Sequence, residues 1–300
     1  MSKASKKQWV DRPVSISRGR AMLKGGLTHL ALSIAAFIVI YPVLWVVKMA
    51  LTPNREAGLD PNPFIDPSKA SLENFEYVLF RTDVAGNSLF AHQLFNSIVI
   101  AALTTIIGVV LACTAAYGFS RLKFIGREVG LQGFLVTQMF PGVVMAIPLY
   151  ILLGKLGLLN SIVGLVLVYS VSALPFCVWN LKGYFDTIPK ELEEAAIVDG
   201  ASRLKIFTTI VLPLARPAIA ITALFSFMTA WNEFILAATL MNKELAYTLP
   251  VALKQFVGAQ SADYGYFAAG AILVSIPIMA LFFALQKNLV GGLTAGGVKG

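Results

Sequence analysis

Few residues in this chain are equipped for covalent chemistry. Its 300 residues include two histidines, His29 and His92, and two cysteines, Cys113 and Cys177. No His-Glu-x-x-His occurs, which removes the zinc site and general base of a metalloprotease. No Gly-x-x-x-x-Gly-Lys-Ser/Thr occurs either, since Gly154-Lys155 is followed by Leu156, so no P-loop is present. Both cysteines lie in apolar runs and read as small buried hydrophobes. His29 reads as structural. No catalytic residue, no metal ligand and no cofactor bound by the chain itself is expected. One carboxylate stands apart. Glu233, in Trp231-Asn232-Glu233-Phe234, is the single charge between Arg216 and Lys243. An intramembrane carboxylate costs at least ~2.5 kcal/mol at the bilayer centre, so it faces protein or a wet cavity.

The elements that would position these groups are set by a shortage of charge. Hydrophobic residues make up 57% of the chain and charged ones 13%, with a mean hydropathy of +0.74. Soluble domains carry about 25% charged residues, so lipid must serve as solvent for much of the surface. Charges are absent between Lys24 and Lys48, Asp83 and Arg121, Glu128 and Lys155, Lys155 and Lys182, and Asp263 and Lys287. With the Arg216–Lys243 stretch these give six spans at about 26–49, 94–119, 130–154, 160–181, 216–240 and 266–287, each holding the roughly 20 apolar residues that cross a bilayer. The runs are continuous, not alternating, which predicts helices and an all-α integral membrane protein. Pro42, Pro141, Pro148, Pro175 and Pro277 fall inside spans as tolerated kinks.

Lysines and arginines orient the spans. The segment up to Lys24 carries seven basic residues against Asp11. The loops after spans 2 and 4 are also basic. The loop after span 1 carries six acids against three basic residues, and those after spans 3 and 5 are near balance. Both ends are therefore expected in the cytoplasm. The net charge of +8 is a topology and lipid-headgroup signal, with no nucleic-acid partner.

One loop on the basic side, 182–215, is long and helical in pattern. Thr187 is a candidate N-cap, and Pro189 suits a first turn. Glu191, Glu193 and Glu194 complement the positive end of a helix dipole. Ala195 and Ala196 add a ridge without bulk, and Gly200 ends the helix. A second amphipathic piece runs from Arg203 to Val211.

The order Glu194-Ala195-Ala196, three residues, Gly200, nine residues, Ile210-Val211-Leu212-Pro213 resembles the EAA loop of binding-protein-dependent ABC importer permeases. Gln138-Met139-Phe140-Pro141, Trp231-Asn232-Glu233-Phe234 and the tail from Gly292 to Gly300 resemble the smaller permease subunit of maltose-type carbohydrate importers. The resemblance implies half of a membrane pathway for an oligosaccharide, with maltose or maltodextrin favoured, in a bacterial or archaeal cytoplasmic (inner) membrane. It implies a second homologous permease, an ATPase dimer that holds ATP and Mg, and an extracytoplasmic sugar-binding protein. It divides the chain into a basic segment 1–25, a permease domain 26–291 and a tail 292–300.

The resemblance also distributes roles. Glu194, Ala195, Ala196, Gly200, Ile210, Leu212 and Pro213 would couple to the ATPase. Trp231, Asn232 and Glu233 would border the substrate path, with Glu233 either bonding sugar hydroxyls or bracing helices, and Trp231 either stacking on a pyranose or packing. In the external loop 241–265, Tyr247, Leu249, Pro250, Gln255 and Phe256 would meet the binding protein. The tail residues Leu293, Thr294, Ala295, Gly296, Gly297, Val298, Lys299 and Gly300 would lie as an extended strand at the ATPase interface. Two other readings stand beside this one: a secondary transporter, which needs a coupling-ion site and usually an inverted repeat, and a membrane scaffold that transports nothing.

Overall fold

The computed structural model describes the backbone of residues 18–58, 62–258 and 262–297, and the side chains of 25–58, 62–258 and 262–286. The elements in chain order are α1 (Arg18–Leu51), α2 (Glu73–Phe80), α3 (Leu89–Arg121), α4 (Arg127–Gln138), α5 (Gly142–Lys155), α6 (Ile162–Phe185) and α7 (Glu191–Val198). Then come α8 (Arg203–Ile206), a π-helical turn at Phe207–Val211, α9 (Leu212–Leu214), α10 (Arg216–Asn232) and α11 (Ile235–Leu240). A 3₁₀ turn at Glu244–Ala246, α12 (Leu249–Lys254) and α13 (Tyr264–Gly297) complete the fold. The all-α expectation holds among the described residues, where β structure is limited to isolated bridges.

Four helical stretches are long and apolar enough to cross a membrane: Gly25–Leu51, Leu89–Arg121, Ile162–Phe185 and Tyr264–Gln286. They correspond to spans 1, 2, 4 and 6. The stretches expected as spans 3 and 5 are bent helix pairs, not single helices. Span 3 is broken at Met139-Phe140-Pro141, where α4 and α5 meet at 95°. Pro141 has no N–H to continue the helix and restricts the residue before it, so a hinge replaces the expected kink. Span 5 is cut twice. A bend of 78° at Ala215 separates α8–α9 from α10, and the helix stops again at Glu233, whose backbone is extended at φ −68° and ψ 128°. Pro42, Pro148, Pro175 and Pro277 do lie within helices.

The spine is α3, which packs along α6 and α10, while α13 lies on α1, α2 and α10. Thr104, Gly108, Ala112, Ala116 and Ser120 recur every four residues on α3, and all are buried. This ridge of small residues lets two apolar helices approach closely without a large side chain between them. Cys113 and Cys177 are free thiols in this core, beside Ala173, Leu181 and Phe185. A second core gathers Ile100, Leu165, Tyr169, Trp231 and Leu240. By contrast, α1 exposes Leu30, Phe37, Ile38 and Val39 and joins the body at its C-terminal end, where Ala50 is buried.

Candidate functional site: coupling surface and membrane path

The two ends of α3 organise two different surfaces. At its C-terminal end a knot of hydrogen bonds holds α7. The Arg121 Nε donates to Glu193 Oε1 at 2.5 Å, and Tyr117 Oη donates to Glu193 Oε2 at 3.1 Å. Arg121 Nη2 reaches the carbonyls of Phe185 and Ile188 at 2.9 and 3.0 Å. Its Nη1 donates to Ser120 Oγ, which in turn donates to Asp186 Oδ1 at 2.6 Å. Both charged side chains are below 10% exposed. Partial burial alone would raise the Asp186 carboxyl. Hydrogen bonds from Lys182 and Ser120, with the Lys182 and Arg121 charges, outweigh it and hold the group below the usual carboxylate range.

With Glu193 turned inward, α7 shows its other side to solvent. Glu194 and Ala195 are exposed and Ala196 is half-buried. Leu192, Ile197, Val198 and, from α8, Leu204 are exposed apolar residues around them, Val198 at 87%. Gly200 closes α7 at φ +81°. Its N–H donates to Ile197 O and the Ala201 N–H to Ala196 O, the two bonds of a Schellman cap. The expected helix stop is therefore in place. The expected start is not. Thr187 finishes α6 instead, its Oγ1 donating to Tyr184 O, and α7 begins only after Pro189 with no side-chain cap at Lys190. The second half of the motif is built differently from the first. Ile206, Phe207 and Val211 point into the core, and Ile210, Leu212 and Pro213 are half-buried beside it. Ala195 and Ala196 thus lie on the open side of α7, whereas Ile210, Leu212 and Pro213 lie half-buried against the core.

Inside the apolar body, Glu233 spans the break between α10 and α11. Its Oε1 accepts from Leu236 N at 2.8 Å, and its Oε2 from Ala237 N at 3.0 Å and from Tyr169 Oη at 2.5 Å. The carboxylate thus satisfies the first free N–H groups of α11 and favours its positive dipole end. Of the two open readings, the brace is the one that the geometry contains. Trp231 is 1% exposed and stacks on Phe227 at 5.5 Å, so it is a packing residue here. Asn232 is exposed and donates to Met228 O.

At the N-terminal end of α3, the loop 241–265 is tied down by side chains of the spine. Gln93 donates to Glu244 O, Asn96 to Leu245 O and Tyr247 O, and Ser97 Oγ accepts from Leu249 N. Asn160, at φ 55°, accepts from the N–H groups of Asn242 and Lys243. The five residues assigned to this loop divide. Leu249 and Phe256 are 1% and 8% exposed and anchor the loop, which corrects their expected role as contact residues: apolar side chains close its underside. Tyr247 and Pro250 are half-buried and Gln255 is exposed. For the tail, the backbone stays helical through Gly297 as part of α13, not extended as expected, because the strand continues a preformed helix and needs no new nucleus. The side chains of Leu293, Thr294, Ala295, Gly296 and Gly297, and all of Val298, Lys299 and Gly300, lie outside the described residues, as does the basic segment 1–17.

The sequence reading missed Arg121, Tyr117, Ser120 and Asp186. A signal was present: Ser120-Arg121 ends an otherwise charge-free span facing a loop with an excess of glutamates.

Residues 108–294 match the family described as "Binding-protein-dependent transport system inner membrane component". The chain is 37% identical to the maltodextrin transport system permease protein MdxG of Bacillus subtilis, covering 93% of this chain and 98% of the relative. It is 38% identical to the galactooligosaccharides transport system permease protein GanQ of the same organism, over 91% and 95%. It is likewise 38% identical to the maltose/maltodextrin permease protein MalG of Vibrio vulnificus, over 91% and 95%. The fold superposes on a chain of a bacterial ABC transporter that imports the acidic polysaccharide alginate, with a TM-score of 0.71 at 22% identity over 90% and 98% of the two chains. A helical bundle with an exposed, firmly seated α7 and these relatives place the chain among the inner-membrane components of binding-protein-dependent transport systems, and it belongs to that family.

Proposed function

We propose that this chain is one of two permease subunits of an importer for a neutral oligosaccharide of the maltodextrin type, in a bacterial or archaeal cytoplasmic membrane. The observation that carries the reading is α7: a short helix whose small and apolar face is open while its one buried carboxylate is locked to Arg121. A surface helix that only covered the body would turn that face inward. The relatives' names supply the sugar class, and two of the three are maltose or maltodextrin permeases.

In this reading the bent pairs α4–α5 and α8–α10 complete six spans, with both termini cytoplasmic. Glu194, Ala195, Ala196 and Gly200 enter a cleft of a partner ATPase, which supplies the ATP chemistry. Ile210, Leu212 and Pro213 seat that surface, and Leu293 to Gly300 reach the ATPase interface. On the other face Pro250, in the loop 241–265, meets a sugar-binding protein. The Glu233 break borders the path. The test is Ala196→Asp, which places an unpaired charge in the contact. The permease should still insert in the membrane, but its purified complex should lose the ATPase and ATP-driven maltodextrin uptake. Retention of both by the variant would remove the role of α7. Failure of the unaltered complex to take up any maltodextrin would remove the sugar.

A further inference from the structure

Two cavities beside the loop 241–265 join into one groove. The outer, about 610 Å³, is bounded by Tyr77, Arg81, Glu244 and Asp263 and by Asn242, Tyr247 and Gln255. The inner, about 320 Å³, shares Asn242, Tyr247 and Gln255 and ends at Phe234 and Ala238. Phe234 follows Glu233, so the groove runs from the end of the molecule opposite α7 down to the helix break. Its outer volume falls within the ~300–1,000 Å³ of small-molecule sites.

The groove's fixed charges, Arg81 and Lys254 against Glu244 and Asp263, balance. Arg81 Nη2 donates to Glu244 Oε1 at 2.6 Å, and its guanidinium lies 5.9 Å from the Phe256 ring centre. Asp263 Oδ1 accepts from Asn54 Nδ2 at 2.7 Å, and Lys254 Nζ donates to Val257 O. Among the described residues, the side-chain amides of Asn242 and Gln255 and the hydroxyls of Tyr77 and Tyr247 have no hydrogen-bond partner. Tyr77 stacks one ring face on Tyr266, 4.0 Å away and 13° from parallel, and the residue is 44% exposed. What remains on offer is neutral: aromatic rings, and planar groups that both donate and accept. With two cations and two carboxylates in its lining, the groove offers an anion or a cation no net counter-charge, and a lipid tail would desolvate the amides without replacing their hydrogen bonds. A sugar matches both parts, with C–H faces for the rings and hydroxyls for the amides.

We infer that this groove is a carbohydrate subsite of this subunit, which holds a neutral oligosaccharide as it passes from the outer face toward the Glu233 break. This rests on the importer reading above and adds a sugar contact supplied by this chain. The experiment uses the complete transporter in lipid vesicles, with binding protein loaded with maltotetraose, and compares Tyr247→Ala and Gln255→Ala with the unaltered complex. The expected result is a maximal uptake lower by about tenfold, the loss of roughly one ring contact or amide pair, at an unchanged half-saturating binding-protein concentration. A shift in that concentration at unchanged maximal uptake would make the groove a seat for the protein and overturn the subsite. Equal uptake and equal half-saturation in both variants would overturn it as well. Gln255→Ala guards against misfolding, because that side chain is exposed and makes no hydrogen bond. A direct readout is saturation transfer by nuclear magnetic resonance from the full chain in nanodiscs to maltotetraose. Transfer is expected, and its loss in Tyr247→Ala places the sugar in the groove. Full transfer in that variant would put the sugar elsewhere. If the unaltered complex imports maltotetraose while the variants match it, only the subsite fails. If the unaltered complex imports none, the importer reading fails with it.

Discussion

Glu193 and Glu233 are both carboxylates held inside the protein, and they are satisfied in opposite ways. Glu193 meets a full positive charge, Arg121, and a tyrosine hydroxyl at the edge of the bundle. Among the described residues, Glu233 meets no cation. Two backbone N–H groups at a helix start and the Tyr169 hydroxyl satisfy it within the apolar body. A pair of opposite charges fixes one helix against another and is costly to part. Dipolar partners fix a carboxylate to its own local backbone and tolerate its partial replacement. The first arrangement suits a joint between elements, the second a helix break that must keep its shape.

The largest expected effect breaks the joint. Arg121→Met leaves Glu193 buried and unpaired, a loss of about 3–5 kcal/mol. Amide exchange across α7 should quicken strongly, and the double variant Arg121→Met with Glu193→Leu should restore much of the protection. If the single variant exchanged like the unaltered protein, α7 would not depend on this pair.

The break should respond less. Glu233→Ala removes three hydrogen bonds to one charged group and should loosen α11 by about 1.5–3 kcal/mol. Glu233→Gln keeps an acceptor and should retain more of the protection, read as amide exchange at Leu236 and Ala237. Equal losses in the two would mean that charge, not hydrogen bonding, holds the break.

Smaller still is Gly200→Ala. Its φ of +81° lies where a Cβ costs roughly 1–2 kcal/mol, while nothing stands within 4 Å of the new atom. Gly200→Asn should cost less than Ala, because Asn tolerates the left-handed region. Thermal unfolding in detergent would rank the three.

The smallest effect sharpens the comparison through pH. The folded Asp186 carboxyl is held below its ordinary range, so its stabilisation is present above the unfolded pKa and fades as pH falls through the folded value. Unfolding measured from neutral pH downward should show α7 loosening only below the usual carboxylate range. Asp186→Asn should flatten that acid limb.

Four of the expected spans and the cap at Gly200 were legible because hydrophobic run length and a left-handed stop are local properties. Spans 1, 2 and 6 fall within α1, α3 and α13, and span 4 falls in α6 except for its first two residues. The angles at Pro141 and Ala215 were not legible, since a proline marks a weak point without saying how far the chain turns there. The site divided along the same line. Ala195, named from a motif, is exposed. Leu249 and Phe256 were misassigned because which face of a short loop closes against the body depends on α3, some 150 residues away in sequence. Glu193 was read as a dipole partner for its own helix, and only the fold brings Arg121 to it.

The spine itself carries one more consequence. With 33 residues, α3 is about 50 Å long, against a hydrocarbon core of about 30 Å. No charge occurs along it before Arg121. A helix of that length meets the excess by leaning or by ends that stand clear of the hydrocarbon, and the balance between the two depends on the bilayer around it. Because Asn96 holds the loop 241–265 at one end and Arg121 holds α7 at the other, a change of lean turns both surfaces in a single motion. In bilayers of different acyl-chain length the two faces are therefore expected to shift together.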